Sequence, residues 1–193
     1  APAADGQRGD FLLAVSDIYV QKNLHNLFRA MRKVCDRYPH VELRIAGQPI
    51  DAWYYEKAIE LAGELGIADN ITFLGRLPLA ELMPLYQRCR AFVFPSTAET
   101  FGMPLVEAMA CGAPIASSSS TAMPEIVGDA ALLFDPMDVD DMAAAILKLL
   151  DDGALRAALS ERAVRRAADF SWRRTAEMTA DVLVEASQRR IVG

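Results

Sequence analysis

Short apolar runs and helix-period segments take turns along this chain, and that alternation constrains its fold more than any other feature. Phe11-Leu12-Leu13-Ala14-Val15 is long enough for one buried strand. Leu24, Leu27, Phe28, Met31 and Val34 then recur at three- and four-residue steps, which marks one face of a helix that Pro39 stops. Residues 41–46 predict a second strand ending at Gly47, and a helix through Ile59, Ala62 and Leu65 closes at Gly66. Residues 70–74 predict a third strand, and Leu82, Leu85 and Tyr86 belong to a short helix. A fourth strand, 91–94, is cut off by Pro95. Pro104 opens a helix at a position where a missing N–H is harmless, and Gly112 closes it. Residues 114–116 and 131–134 predict strands five and six, with the serine run Ser117 to Ser120 as a loop after the fifth. From Asp138 the pattern is helical to the end, broken at Gly153 and capped again at Ser171.

Strands of four to six residues separated by helices imply a parallel α/β sheet of about six strands, covered on both faces and linked by right-handed crossovers. Ligands in such sheets sit beyond the carboxyl ends of the strands. Function is therefore to be sought after Val15, Ala46, Leu74, Phe94 and Ala116. Residues 1–10 read as a linker or tail, 11–170 as one domain and 171–193 as a separate C-terminal helix.

The 193 residues, 52% of them hydrophobic and 24% charged, suffice for one domain with a real core. A net charge of −6 argues against nucleic acid as a partner. The short clusters Arg165-Arg166, Arg173-Arg174 and Arg189-Arg190 read as solvated helix face. No apolar run approaches the roughly 18–20 residues that span a bilayer, and the first six residues lack the pattern of a signal peptide. Cys35, Cys89 and Cys111 are odd in number and set in apolar stretches, which suits reduced thiols in a cytoplasmic protein.

The richest segment runs from Pro95 to Gly112. A buried strand stops at a proline, a loop of small residues follows, and a helix begins at Pro104. A helix N-terminus offers free N–H groups and partial positive charge, so this is an anion site in waiting. Gly102 lets a phosphate approach the backbone closely. Two carboxylates flank it: Glu99 in the loop, and Glu107, which is read as lying in the first helical turn. Glu107 suits vicinal hydroxyls such as those of ribose, and Glu99 lies where a group beyond the phosphates would be. The geometry suggests a nucleoside, a diphosphate over the amides and a sugar near Glu99.

Two glutamates with seven residues between them, Phe-Gly-x-Pro inside and Glu-Ala-Met-Ala-x-Gly-x-Pro at the end, resemble the donor-site signature of the large retaining glycosyltransferase family four, of the GT-B fold. Further matching segments are Lys22-Asn23-Leu24, Phe73-Leu74-Gly75-Arg76-Leu77, Leu85-Tyr86, Pro124 to Gly128 and Phe170-Ser171-Trp172, so the resemblance covers nearly the whole chain. It implies a Rossmann-like three-layer αβα sandwich, the C-terminal, donor-binding domain of a two-domain enzyme. It implies a nucleotide-diphosphate sugar as substrate, with GDP-mannose leading over UDP-sugars, and a saccharide or lipid-linked acceptor in glycan or lipopolysaccharide biosynthesis. No metal or other cofactor is expected. Lys22 would neutralise the donor diphosphate and, with Glu99, be catalytic. Glu107 would hold the ribose, the backbone of Phe101, Gly102, Met103, Pro104 and Leu105 would bind phosphate and sugar hydroxyls, and Arg76 and Leu77 would lie beside the base. The resemblance also implies an N-terminal acceptor domain outside this chain, reached by the last helix and compatible with a peripheral contact at the inner face of the membrane. The isolated chain is then expected to bind donor weakly and transfer nothing.

One departure stands out. Many members place Gly-Arg after the first strand, whereas here Val15 is followed by Ser16-Asp17-Ile18, leaving Lys22 to act alone or with a cation such as Arg76. The same segment lacks the Gly-x-Gly-x-x-Gly of dinucleotide oxidoreductases. A GT-B relative that epimerises or hydrolyses nucleotide sugars, and a non-catalytic nucleotide-sugar-binding module, remain as alternatives. Asp138-Val139-Asp140 is literally an Asp-x-Asp but reads as a helix cap. Met103, Met109, Phe92 and Phe94 read as core.

Overall fold

The computed structural model describes residues 8–189. Among them β1 (Phe11–Val15), β2 (Glu42–Ala46), β3 (Ile71–Gly75), β4 (Ala91–Phe94), β5 (Ile115–Ser118) and β6 (Ala131–Phe134) form one sheet in the order β3-β2-β1-β4-β5-β6. Every pairing is parallel. The pleat sends alternate side chains to opposite faces, so Leu12 and Ala14 join one apolar cluster and Phe11 and Leu13 the other. Helices α1 (Leu24–Arg37), α2 (Ala52–Glu64) and α6 (Val139–Asp151) cover the first face. Helices α3 (Leu79–Arg88), α4 (Met103–Ala110), α5 (Met123–Val127) and α7 (Gly153–Ala167) cover the second. The result is the three-layer αβα sandwich that the alternation predicts.

Burial rather than helix propensity docks α1. Leu24, Leu27, Phe28, Met31 and Val34 are each no more than 1% exposed, and each such side chain contributes about 1.5–3 kcal/mol on leaving water. The central strands β1, β4 and β5 are buried almost throughout, while the edge strands β3 and β6 are largely half-buried. From β1 the sheet grows outward to β2 and β3, and the chain then returns to β4 on the other side of β1. The loops leaving β1 and β4 therefore diverge and open a crevice at the reversal of strand order, where ligands bind in sheets of this kind.

Several local readings change. Ser117 and Ser118 are not loop but the fully buried end of β5, because β5 lies between β4 and β6 and needs its backbone ladder on both sides. Arg166 is not simply solvated: its guanidinium donates to the Ile126 and Glu125 carbonyls and ties α7 to α5, while Arg165 is exposed. Arg8, in the segment read as a linker, donates to the carbonyls of Gln87, Cys89 and Gly112. Residues 1–7 of that segment, and residues 190–193 of the last one, Arg190 included, lie outside the described residues. The final helix, α8 (Trp172–Arg189), is exposed at every position from 172 to 188. Among the described residues no helix is long and apolar enough to cross a membrane.

Candidate functional site at the reversal of strand order

The loop after β1 is shaped by its neighbour after β2. Gly47 sits at φ +150°, and a Cβ there would lie 1.8 Å from the Ser16 carbonyl oxygen, so only glycine permits this approach. The chain then makes a 3-10 turn, Val20–Lys22, and passes through Asn23 at φ +57° into α1. That turn carries Lys22 inward. The residue is 8% exposed, and its ammonium contacts the Glu99 Oε1 at 2.5 Å. The faces of Tyr19 and Phe94 lie 5.1 and 5.9 Å from the same nitrogen, within cation–π range. Lys22 and Glu99, far apart in sequence, thus meet in the crevice.

The loop after β4 that carries Glu99 is tied on both sides. The Thr97 N–H donates to the Gln21 carbonyl at 2.8 Å, joining it to the Lys22 turn. The Glu99 N–H donates to the Thr121 hydroxyl at 3.0 Å. Thr121 adopts φ +50°, a left-handed conformation that a β-branched residue takes only under constraint. Asn23 holds the larger frame: its Nδ2 donates to the Pro95 carbonyl at 3.1 Å and the Pro136 carbonyl at 2.8 Å. One buried amide thus fastens the start of α1 to the loops after β4 and β6. Within Lys22-Asn23-Leu24 the resemblance implies a role only for the lysine. An asparagine just before a helix was the available signal, since asparagine tolerates the left-handed region.

At the start of α4, Gly102 takes φ +86° with no side-chain cap, and Met103 and Pro104 are the first two helical residues. Pro104 has no N–H, and the Leu105 N–H already donates to the Gly102 carbonyl at 2.9 Å. The N–H groups of Phe101, Gly102 and Met103 have no protein acceptor among the described residues. They leave unpaired donors and partial positive charge beside the Lys22–Glu99 pair. Glu107 is not in the first turn, which contains no acidic residue, but in the second, so compensation of the helix dipole does not explain it. Its carboxylate instead accepts from the buried Tyr86 hydroxyl at 2.9 Å. Burial and the Glu107 charge push that tyrosine well above its ordinary pKa, so it stays a donor.

The other predicted residues fall into two hollows. Arg76 and Leu77 line one of about 180 Å³ together with Ser16, Asp17 and Gly47. Arg76 is exposed there, beside the segment where the resemblance leads one to look for an arginine. Asp17 is occupied otherwise, its carboxylate accepting from the Gln48 N–H at 3.1 Å. Phe101 and Met103 line a second hollow of about 210 Å³, closed by Phe170, Trp172 and Met178. Met109, Phe92 and Phe94 are core as expected, but Met103 is 41% exposed, because it faces this hollow rather than the sheet. The Asp-x-Asp segment is a cap: Asp138 accepts from the N–H groups of Asp140 and Asp141, and Asp140 pairs with Lys33 at 2.7 Å.

Comparison with known proteins agrees with the fold. The family model described as glycosyl transferases group 1 matches residues 5–166. A serotype-specific mannosyltransferase WbdA of Escherichia coli is 34% identical over 192 residues, covering 95% of this chain and 23% of that protein. The O-antigen chain mannosyltransferase B of Escherichia coli is 46% identical over 102 residues, covering 53% of this chain and 27% of that protein. The chain therefore spans about a quarter of the length of these relatives. Among solved structures, sucrose-phosphate synthase from Thermosynechococcus elongatus superposes with a TM-score of 0.83 at 25% identity, over 97% of this chain and 50% of that one. Anabaena Alr3699/HepE in complex with UDP and glucose superposes with a TM-score of 0.82 at 24% identity, over 94% and 49%.

Proposed function

The chain belongs to the glycosyl transferases group 1 family, and from that premise we propose that it is the donor-binding domain of a retaining hexosyltransferase. Its substrate is a nucleotide-diphosphate sugar, with GDP-mannose the leading candidate. The observation that carries the reading is the Lys22 ammonium set against Glu99 beside the unpaired N–H groups leading into α4, in the crevice where strand order reverses.

Each group has a task in this reading. The donor diphosphate lies over the amides of Phe101, Gly102 and Met103, with Lys22 opposite. As the glycosidic bond breaks, negative charge gathers on the leaving nucleoside diphosphate, and a fixed cation in a partly dry site stabilises it. Glu99 faces the sugar and stabilises the positive charge that develops at the anomeric carbon. Glu107 accepts from the ribose hydroxyls, and the hollow at Arg76 and Leu77 receives the base. Arg76 also supplies the second cation that Ser16-Asp17 does not. Lys22 and the helix amides provide the positive charge, so the reading requires no metal.

The mannosyltransferase relatives support mannose, and the UDP bound to Alr3699/HepE keeps a UDP-sugar as the second donor class. The acceptor, a saccharide or a lipid-linked glycan, binds to sequence outside this chain, in keeping with matched segments that cover only 27% and 23% of these relatives. The bare apolar side of α8, with Trp172 76% and Leu183 64% exposed, suits a helix that packs against that second domain.

Calorimetry of the chain with GDP and with UDP tests the reading. One nucleotide binds, Glu107→Ala weakens it at least about tenfold, in line with loss of a charged hydrogen-bonding partner, and no sugar is transferred to added acceptors. Absence of binding by both nucleotides, or equal binding by the variant, overturns the donor site. Robust transfer by the isolated chain overturns the need for a second domain.

A further inference from the structure

We infer that Tyr86 is a positioning residue for nucleotide recognition: from inside the core, its hydroxyl pins one oxygen of Glu107 so that the other is presented to the ribose. The inference rests on the donor-site reading, in which Glu107 takes the ribose hydroxyls.

Tyr86 lies on α3 and is fully buried. Its ring meets Phe92 edge-on, with centroids 5.3 Å apart and planes at 64°. Packing alone would be served as well by phenylalanine. A buried hydroxyl must find an acceptor or lose the hydration it had in the unfolded chain, and this one finds Glu107 Oε2 at 2.9 Å. Among the described residues that is the only bond the Glu107 carboxylate receives from the protein. Oε1 is left without a protein donor. A glutamate has three side-chain torsions, and a lone half-buried carboxylate would rotate among several orientations. Anchoring Oε2 removes that freedom before the ligand arrives, which is how a supporting residue sharpens a binding group. The direction of the bond is also set: a carboxylate only accepts and the phenol donates. Oε1 and the remaining lone pairs are then available for donors, and two vicinal hydroxyls are such donors.

A purely structural tyrosine and a positioning tyrosine differ in what they do to ribose discrimination. The test compares GDP and UDP with their 2′,3′-dideoxy forms, by calorimetry on the wild type, Tyr86→Phe and Glu107→Gln. The wild type should prefer the ribonucleotide, and Glu107→Gln should erase the preference. Tyr86→Phe should weaken the ribonucleotide by about fivefold, the scale of one orienting hydrogen bond, and leave the dideoxy Kd unchanged. In Glu107→Gln the further change Tyr86→Phe should do nothing to discrimination. If Tyr86→Phe shifts both ligands equally, or neither, Tyr86 does not act through the ribose contact and the inference falls, while the donor site stands. If Glu107→Gln leaves discrimination intact, or neither nucleotide binds, the donor-site reading falls and takes the inference with it. Tyr86→Met, which fills similar volume without the hydroxyl, replaces Tyr86→Phe should that variant not fold, and must give the same pattern.

Discussion

Removing the ammonium of Lys22 while keeping its volume, as in Lys22→Met, leaves Glu99 charged in a crevice where its side chain is only 15% exposed. Breaking a fully buried ion pair by deleting one partner costs about 3–5 kcal/mol, because the survivor keeps its desolvation penalty and loses its compensation. Glu99 retains some water contact, and the neighbouring N–H groups of α4 offset part of its charge. The expected loss is therefore about 2–3 kcal/mol, below the fully buried range. For a chain of this size that lowers Tm by about 4–12 °C. The double variant Lys22→Met, Glu99→Gln leaves no orphaned charge and should return to within about 1 kcal/mol of wild type, since replacing both partners of a buried pair is often close to neutral. Thermal and urea unfolding of the four proteins of this cycle measures the coupling. The coupling should also persist in high salt, because a pair this enclosed is poorly screened. A Lys22→Met loss below about 0.5 kcal/mol, the range of exposed pairs, would show that water reaches both groups. The desolvated ion pair would then be no basis for the donor site.

Two further outcomes follow from the frame around the site. Asn23→Ala loses both bonds to the Pro95 and Pro136 carbonyls and the left-handed tolerance of asparagine, and should cost about 2–4 kcal/mol; Asn23→Gly restores the backbone freedom alone, so denaturant unfolding should show it recovering only part of the loss. His25 packs on Tyr54 with centroids 4.5 Å apart, and burial, then the charge of Arg29, holds its pKa below the ordinary 6.5. The unfolded chain therefore binds its proton first, so stability falls as pH drops through 6.5 and stops falling once the folded histidine is also charged. His25→Gln should flatten that part of the stability profile, and a profile unchanged by the substitution would show that other groups set it.

Much of the fold is legible without coordinates because the signals are local. Leu24, Leu27, Phe28, Met31 and Val34 announce a helix face by spacing alone, and all five are buried where that spacing puts them. Glu99, Gly102 and Glu107 stand out in the sequence through the spacing that resembles the family's donor-site signature. The serine run departs from its loop-like composition for a physical reason. Ser117 and Ser118 have loop-like chemistry, yet an interior strand recruits backbone regardless of side chain when both neighbouring strands offer partners. Met103 was misplaced because a methionine near a helix start looks the same whether it faces the sheet or a hollow.

The linear order of residues was enough to determine the strand-helix alternation and the three-layer class, since each depends on neighbours a few positions apart, and motifs spread over nearly the whole chain were enough to mark the family. Only tertiary structure decided that Lys22 meets Glu99, that Asn23 fastens the start of α1 to two loops, that Thr121 holds the Glu99 backbone and that Tyr86 takes one oxygen of Glu107. Those pairings join residues 21 to 113 positions apart. The loop pairings among them depend on the reversal of strand order at β1 and β4, which gathers distant loops beyond the carboxyl ends of the central strands. Spacing along a chain carries information about one helix or one strand, whereas contact across a sheet depends on the order in which strands assemble.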